Sequence, residues 1–82
     1  MDDETLMHAL ADAAGAAILP HFRSALAVES KRVDGYDPVT VADRAAEEAM
    51  RATIAAERPE DGITGEEFPP VPARSGRTWM LD

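Results

Sequence analysis

Cysteine is absent from the 82 residues, so no disulfide can staple the chain and no thiolate can hold a metal. That absence agrees with a reducing compartment, and the expected location is the cytoplasm. Lysine is almost absent as well, with Lys31 alone. The 16 acidic residues outnumber the 8 lysines and arginines, for a formal net charge of −8. A nucleic-acid backbone needs cations against its phosphates, so nucleic acid is an unsuitable partner. An anionic membrane surface is disfavoured for the same reason. No run of about 18 apolar residues occurs, which argues against a transmembrane helix. The opening "MDDETLMHAL" is acidic where a secretion signal would be positive. A chain this short makes at most one small domain and buries only roughly 60% of its unfolded surface.

What remains is largely helical in pattern. "LMHALADAAGAAI" is rich in alanine, the best helix former. Met7, Leu10, Ala14 and Ile18 fall at three- and four-residue steps, which predicts a helix from residue 3 to about 26 with those residues on one face. Asp2, Asp3 and Glu4 suit the positive end of its dipole. Pro20 predicts a kink or an end near Ile18. Gly15 weakens a helix, so a close packing partner is expected there. "LAVESKRV", about 26 to 33, reads as a strand, and "DGYDP" at 34 to 38 as a turn. Thr40 is placed to cap a second helix that continues to about Glu57. Its expected buried stripe is Ala46, Met50 and Ile54. Arg44 with Glu48, and Glu47 with Arg51, stand four residues apart and should support it as charge pairs. Pro59 stops it. A very short strand "ITG", a proline-rich surface loop "PPVPARSG" and a final short strand "TWMLD" follow. The class is α+β, with the last strand unfinished.

The acids without an obvious basic partner carry the chemical interest. Glu66 and Glu67 follow Gly65 at the end of one strand, and Asp82 closes the other. If the two strands lie side by side, Glu66 and Asp82 meet. Asp43 sits in the first turn of the second helix and can point off its end. Three carboxylates in one pocket repel each other unless a cation lies between them. Magnesium suits such a cluster, because it takes hard oxygen ligands and accepts phosphate oxygens as well. Plainer readings stand beside this one. Asp43 serves as a helix N-terminal acid, Glu66 and Glu67 as a solvated pair, and Asp82 as a frayed end. His8 and His21 read as surface or packing residues, and Trp79 as core.

The segment "DPVTVADRAAEEAMRATIAAERPEDGITGEEF", followed after a loop by "WMLD", resembles the N-terminal region of the inositol monophosphatase family. These are magnesium-dependent phosphomonoesterases with a layered αβαβα fold. "ADAAGAAILPHFRS" and "DPVTVADRAAEEAMR" look most similar to bacterial histidinol-phosphatases of that type, enzymes of histidine biosynthesis. The resemblance implies that Glu66, first acid of "GEE", is a magnesium ligand that also orients the attacking water. It implies that Asp82 bridges two metals and that Asp43 serves a further, weaker one. Glu66 and Asp82 would thereby meet the substrate phosphate, with Glu66 and Asp43 as the catalytic acids. Thr40 would be a supporting residue, and Lys31 or Arg32 would fall near a basic position of a mobile loop. The implied partner is a small phosphorylated metabolite, and a homodimer is possible for the longer protein. Inositol-1-phosphate or another sugar phosphate is the alternative substrate. A small acidic, helical interaction protein is the alternative of another class.

The family's motif runs on past this aspartate with a proline, a second aspartate, a glycine and a threonine, and the family fold needs a much longer chain. The expectation is an N-terminal portion of one domain, 1–82, that folds poorly alone and cleaves no phosphate ester. Circular dichroism with a thermal melt should accordingly show no sharp transition for the isolated segment, and millimolar magnesium should hardly change it. A sharp, metal-independent melt would favour the interaction protein instead.

Overall fold

The computed structural model describes the backbone of residues 1–28 and 38–81, and the side chains of 1–21 and 40–81. Two helices come first, α1 (Asp3–Val28) and α2 (Pro38–Glu57). Two short strands follow, β1 (Gly62–Gly65) and β2 (Thr78–Leu81). The α+β class is as expected.

Helix α1 begins where its first side chains can satisfy it. The Thr5 amide donates to Asp2 Oδ1 at 2.8 Å, so Asp2 caps the helix. The helix expected from residue 3 to about 26 forms, and α1 runs through Pro20 to Val28 rather than ending near Ile18. Proline removes the bond to the carbonyl four residues earlier, that of Ala16. Both Ala16 and Pro20 are exposed, so water can take over that carbonyl. The helical span also overrides the first residues of the strand expected from 26; residues 29 to 33, Lys31 and Arg32 among them, and the turn at 34 to 37 lie outside the described residues. Pro38 opens α2, two residues before the expected cap at Thr40. Its missing N–H falls among the first-turn amides that have no helical acceptor anyway.

The core lies where the two helices meet the sheet. Leu6, Leu10, Ile54, Ile63 and Leu81 form one buried cluster, with Met50 and Trp79 packed against it. Of the expected α1 face, Leu10 is buried and Ala14 and Ile18 are half-buried, but Leu6 takes the place expected of Met7. Leu6 is fully buried while Met7 is 60% exposed. Among the described residues nothing lies within 4 Å of a Cβ built at Gly15, so the close packing partner expected there is not found. On α2 the stripe includes Ala42 and Glu47 besides Ile54, and Ala46 and Met50 are half-buried. The radius of gyration, 14.7 Å, exceeds the roughly 12 Å of a compact chain this long. Leu19 and Met80 stay exposed beside Met7, so the apolar surface is only partly covered.

The strands pair in parallel, from Gly62 opposite Thr78 to Gly65 opposite Leu81. The proline-rich connection is exposed as expected, but it also folds back on β1. Ile63 and Val71 exchange backbone bonds of 3.0 and 2.8 Å. Gly62 is thereby crowded, since a Cβ there would lie 2.8 Å from the Val71 carbonyl and the Ala73 amide. Buried Asp61 fastens this loop. It accepts from Ser75 Oγ at 2.5 Å and from Trp79 Nε1 at 2.9 Å. Asp3 at the start of α1 pairs with Arg77 before β2 and with Arg58 after α2.

Gly65 faces the sharpest steric limit, because a Cβ there would overlap the Glu47 carboxylate. Gly65→Ala should displace that carboxylate from its partners and cost about 1–3 kcal/mol, read as a lower urea midpoint at unchanged slope. Acid should act through Asp61. The Ser75 hydroxyl, then the Trp79 indole N–H, hold its carboxyl below the ordinary aspartate range. Stability from that shift is complete above the unfolded-state value and is lost as pH falls through the lower folded-state value. Asp2 and Asp3 are lowered as well, so the loss is shared. Asp61→Asn should flatten part of the acid limb of the stability profile, followed by Trp79 fluorescence.

Candidate active site

Parallel strands leave a crevice beyond their carboxyl ends, where chain segments diverge and ligands commonly bind. Here that end is marked by the last register pair, Gly65 opposite Leu81. A cavity of about 150 Å³ opens there, lined by Asp43, Ala46, Glu47, Met50, Glu66, Glu67 and Leu81. Four of its seven lining residues are acids. Helix α2 supplies two of them from one face, since Asp43 and Glu47 stand one turn apart. The turn after β1 supplies the other two.

The structure therefore brings Asp43 and Glu66 into one cavity, as the sequence suggested. Both are exposed at its mouth. The expected neighbour Asp82 lies outside the described residues; it follows Leu81 directly in the chain. His8 is exposed and His21 half-exposed, and neither lines this cavity. Trp79 is half-buried on the core, as expected.

Glu47 is the residue whose importance sequence reasoning missed. The charge pair expected with Arg51 forms, yet Glu47 is only 4% exposed and reaches beyond its own helix. Its Oε2 accepts from Arg51 Nε at 2.8 Å, and its Oε1 from the Glu67 amide at 3.0 Å. Burial alone would raise its pKa. The Glu67 amide, the Arg51 guanidinium and the Phe68 amide outweigh burial and hold it below the ordinary range. Arg51 goes on to donate to the carbonyls of Phe68 at 2.9 Å and Pro69 at 2.7 Å. Arg44, expected to pair with Glu48, lies instead over the Phe68 ring at 5.5 Å, with Arg51 at 5.7 Å. The available signal was the four-residue step from Asp43 to Glu47, which puts both on the face that looks toward "GEEF".

The chemistry of the donor set can be judged from these contacts. Among the described residues, no hydrogen bond or ion pair engages the side chains of Asp43, Glu66 or Glu67, whereas both oxygens of Glu47 are taken. All the lining donors are carboxylate oxygens, the ligand type that magnesium takes. Asp43 and Glu66 fit a share of such a shell. No three acidic or imidazole side chains among the described residues are grouped closely enough to complete one.

A histidinol-phosphatase of Chlorobaculum parvum is 50% identical over 74 residues, 89% of this chain and 28% of its own. One from Streptomyces coelicolor is 43% identical across 100% of this chain and 30% of its own. A third, from Mycobacterium tuberculosis, is 41% identical over 99% and 31% respectively. The chain thus spans about 30% of the length of these curated relatives. No match exists among solved structures. The sequence pattern of the inositol monophosphatase family matches residues 2–82, and the chain belongs to that family.

Proposed function

We propose that this chain forms part of a magnesium-dependent phosphomonoesterase whose substrate is histidinol phosphate. The observation that carries the reading is the meeting of Asp43 and Glu66 in one cavity beyond the carboxyl ends of β1 and β2. The relatives named histidinol-phosphatase support the choice of substrate. Their family is metal-dependent, and the all-carboxylate donor set favours magnesium as the metal.

Electrostatics support a cation independently. A phosphate ester is an anion, and a cavity walled by Asp43, Glu66 and Glu67 repels it. Magnesium, when bound, supplies the compensating charge, polarises the phosphoryl oxygens and acidifies a water. Glu66 and Asp43 would hold it, with Asp82 as a third carboxylate. Glu66 also accepts a hydrogen bond from the attacking water and takes up its proton. The water oxygen then bonds to phosphorus as the ester P–O bond breaks, the leaving alkoxide takes a proton from solvent water, and Glu66 returns its proton to solvent. Histidinol and inorganic phosphate are the products. Positioning and charge compensation carry most of such a reaction. Since no protein atom needs to be phosphorylated, a chain without cysteine is equal to it.

The test is phosphate release by a protein carrying this segment at the length of its relatives. Histidinol phosphate should be cleaved with magnesium present, with a higher kcat/KM than inositol-1-phosphate, and a chelator should abolish the reaction. Glu66→Gln should lower kcat by a factor on the order of 100 or more, as loss of a charged group acting at the reacting centre does. A preference for inositol-1-phosphate would overturn the substrate, and full activity in Glu66→Gln would overturn the site.

A further inference from the structure

Glu47 lines the same cavity as Asp43 and Glu66 but differs from them in one respect. Both of its oxygens are already engaged, one by Arg51 and one by the Glu67 amide. A carboxylate so neutralised has little left to offer a cation or a phosphate. What it does hold is the backbone of the turn that carries Glu66. Three contacts converge there from one turn of α2. Glu47 takes the amide of Glu67, and Arg51 takes the carbonyls of Phe68 and Pro69. The guanidiniums of Arg44 and Arg51 lie over the Phe68 ring. Donor, acceptor and aromatic face of the same short turn are all gripped by the helix that also bears Asp43.

Gly65 makes this grip possible. Any Cβ there would overlap the Glu47 carboxylate, so the glycine lets the acid lie flat against the end of β1. The arrangement thus sets the distance between the α2 face carrying Asp43 and the turn carrying Glu66. Arg51 spreads its three nitrogens over Glu47 Oε2 and the Phe68 and Pro69 carbonyls, so one planar, charged group fixes several points of the turn at once.

We propose that Glu47 and Arg51 are positioning residues: they clamp the Glu66–Pro69 turn to α2, and so hold Glu66 in place in the cavity it shares with Asp43, where magnesium would bind. The proposal rests on the phosphatase reading for its function, but not for the clamp itself. It assigns Glu47 no contact with metal or substrate. Partners of this kind, one step behind the ligands, typically alter metal affinity or activity 10–100-fold when removed.

The experiment uses a protein carrying this segment at the length of its relatives, with Glu47→Ala, Glu47→Gln and Arg51→Ala compared. Asp61→Asn serves as the control, because it breaks a buried tie that lies outside the cavity. Two quantities are read on the folded proteins: magnesium affinity by calorimetry, and hydrogen exchange of the peptide spanning 66–69. Glu47→Ala and Arg51→Ala should weaken magnesium about 10–100-fold and speed exchange of that peptide. Glu47→Gln keeps an acceptor for the Glu67 amide, so it should recover part of both. Asp61→Asn should lower the melting temperature and change neither. Unchanged exchange at 66–69 in Glu47→Ala would overturn the clamp. Faster exchange with unchanged magnesium affinity would overturn its positioning role. A wild-type protein that cleaves no phosphomonoester would remove the phosphatase reading, while the exchange measurement would still decide whether the pair holds the turn.

Discussion

A buried carboxylate can remain charged only if its surroundings replace the water it lost. Glu47 meets that requirement with an arginine one helical turn away and the amides at the start of the next loop. Much else in the molecule follows from this single constraint. The acid must lie against β1, so residue 65 has no side chain. Arg51 must come down beside it, so its outer nitrogens reach the carbonyls at Phe68 and Pro69. The turn after β1 then has only one place to go. Asp43, one turn earlier on the same helix, ends up across the cavity from Glu66.

The remaining ties act at a distance and secure the frame. Asp61 fixes the loop before β2 by binding Ser75 and the Trp79 indole. Asp3 joins the first turn of α1 to Arg58 and Arg77. The Asp3 pairs are open to solvent and individually weak, because water and salt screen them. Their value lies in joining the first turn of the chain to the segments that lead into both strands. The apolar cluster is small, and Leu6 and Ile54 are its two fully buried side chains. Such a core leaves polar ties a larger share of the specificity than they hold in a bigger domain.

A good part of this was legible in the sequence. The second helix, both strands and the exposed loop follow from alanine content, charge spacing and proline placement. Asp43 and Glu66 could be singled out because no base stood near enough to explain them. Other features were hidden for physical reasons. Pro20 predicts a break wherever its freed carbonyl would be buried, and a sequence does not show that Ala16 faces water. Met7 and Leu6 are both apolar and adjacent, so periodicity alone cannot decide which faces α2. Glu47 followed by Arg51 reads as a solvated pair until the turn that covers it is known. Burial of that pair is a tertiary event, with its partners 17 to 20 residues away.

The parallel pairing of β1 and β2 has a kinetic consequence. Helical turns within α2 form from neighbours, whereas β1 meets β2 only after the chain between them has closed a loop. That closure costs chain entropy before any strand contact repays it. Of the two walls that carry the acids, α2 is built from local contacts, while the crevice between the strand ends needs the non-local pairing of β1 with β2. The cavity thus depends on a pairing between segments apart in sequence, which α2 alone cannot supply.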